Sequence, residues 1–189
     1  SGFIGQHVVR KLVSLGHEVI ATGRDREKIR AFEWADMIRF IQADLNEANR
    51  NYFDFFGKPD ICIHLAWEGL PDYKGLFHIE KNLPANYAFI KNMFENGLED
   101  ITITGTCFEY GMQNGELSED MPTMPNTPYS LAKDTLRRFI QELRNRNDFS
   151  FKWVRIFYLY GLGQNPRSLF AQLDTALERG DKVFNMSGG

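Results

Sequence analysis

Apolar residues along this chain switch between two spacings, and the switching outlines the fold. At residues 6–15, Val8, Val9, Leu12 and Leu15 recur at helical spacing, and the run stops at Gly16, a residue suited to the left-handed turn that ends a helix. Residues 18–22 form a short β-branched run, and similar runs follow at 37–42, 60–66, 101–104 and 151–157. Between them lie helical patterns at 26–34, 79–96 and 129–146. Nearly continuous apolar strands separated by amphipathic helices predict an α/β fold, a doubly wound parallel sheet with helices on both faces. Residues 111–127 are rich in Pro, Gly, Asn and acid and predict a long loop, a kind of segment that is usually functional or disordered.

Composition narrows the class. The length, 189 residues, suits one domain or one with an appended lobe, and 43% hydrophobic with 25% charged residues is ordinary for a soluble protein. A net charge of −3 gives no footprint for nucleic acid or an anionic membrane surface. No apolar run approaches the ~20 residues of a membrane span, and no basic-then-apolar leader opens the chain. Cys62 and Cys107 lie in apolar, strand-like contexts that fit a reducing compartment, so cytoplasm is the expected location, and no metal site is expected. The chain opens at Ser1 inside a glycine turn with no strand before it, and stops at Gly189 just after a strand-like run at 182–186. The expectation is a piece of a longer protein, inactive or unstable when expressed alone.

In parallel sheets ligands bind beyond the carboxyl ends of the strands, so the informative segments are 2–5, 22–25, 43–45, 65–68, 105–111 and 157–163. Ser1, Gly2, Phe3, Ile4 and Gly5 lead straight into a helix. Such glycines let the backbone approach a pyrophosphate at a helix N-terminus, although a tight strand–helix turn explains them equally well. About twenty residues on, where a dinucleotide's ribose is read, stand Thr22, Gly23, Arg24 and Asp25. Arg24 can pair with the 2′-phosphate of NADP, Asp25 keeps NAD open, and Arg24 is also readable as a solvated surface arginine.

The stretch 127–133 carries the candidate chemistry. Thr127 can cap a helix and Pro128 suits its first position, which places Tyr129 and Lys133 one turn apart on the same face. A cation beside a phenol favours phenolate, so the spacing predicts a Tyr129 pKa lowered from ~10 toward working pH and a usable general acid or base. The bland alternative is a first-turn tyrosine with an exposed lysine. At the end of the preceding strand, Thr106 can hydrogen-bond a reacting carbonyl oxygen, or simply serve a strand-end turn.

These residues resemble the extended short-chain dehydrogenase/reductases, the NAD-dependent epimerase/dehydratase family, along essentially the whole chain. Residues 1–5 resemble the end of that family's glycine loop. Asp44 and Leu45 look like its adenine-side pair. His64, Leu65 and Ala66 look like its His-Leu-Ala-Ala segment, with Trp67 in place of the last alanine. Asn82 matches the asparagine opening the central helix, and Thr106, Tyr129 and Lys133 match the catalytic set. Arg155, Phe157, Tyr160 and Gly161 match an Arg-x-Phe-x-x-Tyr-Gly strand end bordering nicotinamide and substrate.

The resemblance implies a Rossmann-type NAD(P)-binding domain over 1–157, its first strand missing, and the start of a sugar-nucleotide lobe over 158–189. It implies cofactor contacts from Gly2, Phe3, Ile4, Gly5, Arg24, Asp44, Leu45, Leu65, Ala66, Asn82, Tyr129, Lys133 and Phe157. Trp67, Tyr110, Tyr158, Gln164, Ser168 and Phe184 are the weaker substrate candidates, each with a packing or surface alternative. A homodimer is common in the family, and helices 79–96 and 129–146 are its candidates here.

Departures from the family narrow the reaction. The acid pair that follows the threonine in 4,6-dehydratases is replaced by Cys107 and Phe108, and Glu109 comes one residue late, which disfavours dehydration. No histidine follows His78, which disfavours the cysteine–histidine epimerase-reductase chemistry. With no histidine near in sequence to activate it, Cys107 reads as a packing residue. The expected activity is reduction of a nucleotide-linked 4-keto-6-deoxyhexose at C4. The alternatives are a 4-epimerase with bound NAD and a non-catalytic nicotinamide sensor or scaffold.

Overall fold

The computed structural model describes residues 2–47 and 50–186; Ser1 of the glycine turn and the last three residues lie outside it. Helices and parallel strands alternate. They are α1 (Phe3–Ser14), β1 (Ile20–Gly23), α2 (Glu27–Arg30), β2 (Arg39–Gln42), α3 (Tyr52–Phe55), β3 (Ile61–His64), α4 (Leu83–Glu95), β4 (Asp100–Thr106), α5 (Pro128–Arg144), β5 (Ser150–Ile156) and α6 (Leu169–Glu178). The strands form two parallel sheets, β1–β2 and β3–β4–β5. In the second, β4 is the middle strand, with His64 opposite Ile103 and Thr106 opposite Ile156.

The core lies between this sheet and the helix pair α4–α5. Ile101 and Ile103 of β4 are fully buried against Phe89, Ile90 and Met93 of α4 and Leu136 and Ile140 of α5. Each such side chain is worth about 1.5–3 kcal/mol when taken from water, so β4 is firmly fixed and its C-terminal end is a stable platform. On the other face, Ile61, Ile63 and Val154 remain exposed.

Several element boundaries differ from the sequence reading. The helix expected at 26–34 stops at Arg30, because Phe32 and Trp34 stack at 4.7 Å and Trp34 is buried in the following turn. The helix expected at 79–96 opens with a wide turn over His78–Asn82 before α4 begins. The strand-like run at 182–186 forms no strand; the regular element there is α6, capped by Ser168. The loop at 111–127 is present. It is stitched at its base, where Gly111 turns at φ 71° and the Met124 amide donates to the Glu109 carbonyl at 2.9 Å.

Candidate active site

Tyr129 owes its place to the start of α5. The Thr127 hydroxyl accepts from the Ser130 amide at 3.1 Å, the Ser130 hydroxyl accepts from the Thr127 amide at 3.0 Å, and Pro128 opens the helix. Tyr129's own amide donates to the Tyr73 carbonyl at 3.2 Å, tying the loop before α4 to this helix start. The Tyr129 ring then sits in an aromatic collar, 5.2 Å from His78, 5.5 Å from Tyr73, 6.0 Å from Trp67 and 6.4 Å from Phe108 between centroids. Lys133 lies one turn along, as the spacing predicts. Its ammonium donates to the Thr104 carbonyl at 2.8 Å and lies 4.1 Å above the Trp67 ring. Thr106, the last residue of β4, is buried beside them; its hydroxyl accepts from the Phe108 amide at 3.3 Å.

The electrostatics correct one expectation. Tyr129's pKa is not lowered: burial pushes the phenol up to about 12, with only the Thr106 hydroxyl pulling it down and Tyr73, Glu109 and Cys107 adding to the rise. The reason is desolvation by the collar, while the Lys133 charge is spent on the Thr104 carbonyl and the Trp67 face. Burial also brings Lys133 down to about 7, against an upward pull from Glu109. His64, at the end of β3, falls to about 3 through burial and then the Lys133 charge, against an upward pull from the Asn86 side chain. Burial raises both thiols, Cys62 to about 12, and this agrees with Cys107 as a packing residue.

The other strand ends form a polar cluster. Gly2 caps α1 with extended backbone and no side-chain hydrogen bond, and a Cβ on Gly5 would touch Leu65, so the helix start lies against the end of β3. At the β1 end Arg24 pairs with Glu68 at 2.6 Å, and Lys81 reaches the same carboxylate at 3.3 Å. Asn82 donates to the Glu68 carbonyl at 3.0 Å, which fixes that residue from below. Asp44 accepts from the Asn46 amide at 3.0 Å, and that bond holds its carboxyl below the usual range. Asp25, just before α2, accepts from the Glu27 amide at 3.0 Å.

Of the substrate candidates, three have internal duties. Tyr110 is buried with its hydroxyl held by Arg155 at 2.9 Å. The Ser168 hydroxyl caps α6. Trp67 carries the Lys133 ammonium and donates to His78 Nδ1 at 3.0 Å. Arg155 likewise faces inward, to Glu109. Tyr158 is exposed, with its ring 6.4 Å from Phe108 at the edge of the collar; Phe157 is half exposed beside Tyr110. Gln164 keeps a buried Oε1 with no partner among the described residues, and Phe184 lies in the irregular segment after α6. Sequence reasoning missed Tyr73, the His78–Trp67 pair, Glu68 and the structural place of Glu109. Glu109 had a signal: Thr106-x-x-Glu109 is a capping box, and both of its bonds form.

Among the described residues no group of three His, Cys, Asp or Glu side chains could hold a metal ion, and no helix is long and apolar enough to cross a membrane.

The whole chain, residues 1–189, matches the model of the NAD dependent epimerase/dehydratase family. It is 27% identical over 191 residues to a dTDP-6-deoxy-L-talose 4-dehydrogenase (NAD(+)) of Aggregatibacter actinomycetemcomitans, covering 100% of this chain and 70% of the relative. It is 27% identical over 179 residues to a dTDP-4-dehydro-6-deoxyglucose reductase of Escherichia coli, covering 87% and 55%. The structure of MoeE5 in complex with UDP-glucose and NAD superposes with a TM-score of 0.75 at 27% identity, over 95% of this chain and 59% of that one. The chain thus spans between about half and seven tenths of the length of these proteins. The names of the first relative and of the MoeE5 complex carry NAD, and nothing supports the preference for NADP drawn from Arg24. A match that runs from one end of the sequence to the other, on the fold described above, fixes the lineage: this protein belongs to the NAD-dependent epimerase/dehydratase family.

Proposed function

We propose that this chain carries the proton-handling half of an NAD-dependent nucleotide-sugar oxidoreductase that reduces a 4-keto-6-deoxyhexose at C4. The observation that carries the reading is the buried end of β4, where the Thr106 hydroxyl faces the Tyr129 phenol and Lys133 reaches the Thr104 carbonyl. Residues 1–157 are read as the cofactor domain and 158–189 as the start of the substrate lobe. NAD fits the row of strand ends: uncapped amides at the start of α1 suit a pyrophosphate, and the Glu68 carboxylate that neutralises Arg24 disfavours an added 2′-phosphate. When bound, the nicotinamide supplies the hydride. Tyr129 donates the proton to the developing C4 alkoxide, and Thr106 holds that oxygen in place. A phenol raised to about 12 is protonated at neutral pH, the state from which it can donate. Donation leaves Tyr129 as a phenolate, which takes back a proton from solvent before the next turnover, and Lys133 one helical turn along is the nearby cation that would ease that charge.

The two curated relatives act at C4 of dTDP-linked 6-deoxyhexoses by name, which supports this substrate class. The test is consumption of NADH by the full-length protein with dTDP-4-keto-6-deoxyglucose. Absence of turnover across a panel of 4-keto nucleotide sugars rejects the proposal, whereas tightly held NAD with no demand for external reductant turns it into a 4-epimerase. For self-association we assign the face of α5 that exposes Leu131 and Phe139, with Tyr87 of α4 packed on Phe139 at 5.4 Å. Phe139→Glu should turn a dimer into a monomer in sedimentation; an unchanged mass rejects that face.

A further inference from the structure

Glu109 is a fully buried carboxylate to which the proposed reaction gives no task. One oxygen accepts from the Thr106 amide at 2.8 Å and from the Trp153 indole at 3.1 Å. The other accepts from Arg155 Nε at 2.8 Å and from the same indole at 3.0 Å, with Arg137 at 3.9 Å. Gly105 makes the approach feasible: a Cβ there would lie 2.4 Å from the carboxylate and 2.1 Å from the indole nitrogen. Burying a carboxylate is costly, and a satisfied apolar side chain would usually fill such a space better. The amide it holds belongs to Thr106, whose hydroxyl stands beside the Tyr129 phenol.

We propose that Glu109 is a positioning residue: it locks the corner at which β4 ends, so that the Thr106 hydroxyl meets Tyr129 and the reacting oxygen at a fixed place, and it anchors that corner to β5 through Trp153 and Arg155. The inference rests on the reading of Thr106 and Tyr129 as the proton-handling pair. The charged and titratable groups facing the carboxylate are Arg155 on β5, Arg137, Lys133 and Tyr129 on α5, and Cys107 on its own turn. Its negative charge favours the protonated forms of both Tyr129 and Lys133.

Two variants of the full-length protein separate reach from charge. Glu109→Asp keeps the charge but is one methylene short of the Thr106 amide. It should lower kcat about tenfold or more, as small misplacements of a positioned group do, with KM for the sugar nucleotide within about twofold and the limbs of the pH–rate profile in place. Glu109→Gln keeps the reach and removes the charge; both limbs should move to lower pH by about half a unit or more. Two results overturn the proposal: both variants holding parental kcat and pH profile, or a loss of activity that only follows loss of folded protein while the limbs stay put. If neither variant folds, Trp153→Phe, which removes the indole bonds and leaves the carboxylate, is the measurement: lowered kcat at constant KM supports the proposal and parental kcat overturns it. Tyr129→Phe runs alongside. Should it retain turnover, the functional reading fails and takes this inference with it; should it be dead while the Glu109 variants match the parent, only this inference falls.

Discussion

Tyr129 and Lys133 are 7% and 2% exposed, whereas Arg24, at the far end of the same row of strand ends, keeps 62% of its side chain in water. At the tyrosine end three titrations are displaced, and for each the largest cause is loss of solvent. At the arginine end charges pair with one another in the open, as Arg24 and Lys81 do on Glu68. The contrast separates two kinds of work. On the proposed reading, the proton is handled where the surroundings are dry and every dipole counts, and the cofactor's polar end is met where solvent softens each contact. Substitutions at the two ends should differ in size accordingly.

The largest effect is expected from Tyr129→Phe, which should lower kcat by about 10²–10⁴-fold while NADH affinity, followed by fluorescence titration, stays at the parental value. Full turnover would mean the dry end does not house the chemistry. Lys133→Met comes next: catalysis should drop by at least about tenfold, yet stability to urea should hold or rise by about 1–3 kcal/mol, since a desolvated cation is exchanged for an apolar chain of similar length. A joint loss of stability and activity would mark Lys133 as a scaffold element instead.

The third prediction concerns pH. His64 has a folded pKa of about 3 against an ordinary 6.5, so between those values the unfolded chain binds more protons and stability rises with pH. Lys133, down at about 7 from 10.5, continues the rise from neutrality toward pH 10. Tyr129, raised to about 12, reverses it above pH 10, where the folded state holds the extra proton. Urea melts across the range should show that shape, and His64→Leu should flatten the acid arm. An acid arm unchanged in the variant would assign it to carboxylates.

The smallest effects belong to the wet end. Arg24→Ala should alter KM for NADH by only a few-fold, in keeping with about 0–1 kcal/mol for an exposed ion pair, and added salt should shrink the difference. Glu68→Gln should release Arg24 and improve NADPH relative to NADH. A large loss of NADH binding in Arg24→Ala would break the contrast between the ends.

Much of the frame was legible in the sequence. The positions of Tyr129 and Lys133 follow from one helical turn and from the Thr127–Pro128 start, and spacing alone supplies both. The sign of the Tyr129 shift could not be read that way. A spacing of four brings a cation near but does not reveal four aromatic neighbours from three other segments, nor that the Trp67 face and Thr104 carbonyl draw the ammonium. Glu109 was readable as a capping partner and was instead measured against a dehydratase pattern. At 26–34 the helical periodicity was real, but it served to bury Trp34 in a turn. At 169–178 the apolar residues Leu169, Leu173 and Leu177 recur at helical spacing and form α6, whereas the strand-like run at 182–186 finds no strand to pair with among the described residues.

Gly111 carries a consequence for the loop that follows it. With φ at 71° and the Met124 carbonyl oxygen 2.1 Å from where a methyl would stand, the two arms of the 111–127 tract are pressed together at their root. Farther along, Thr123 is clasped by Asp134 at 3.1 Å and by Arg138 at 3.0 Å. The tract is thus tied down at two points, at its root by Gly111 and to α5 through Thr123. Gly111→Ala would therefore loosen the base of this tract before it disturbed any residue of the candidate site.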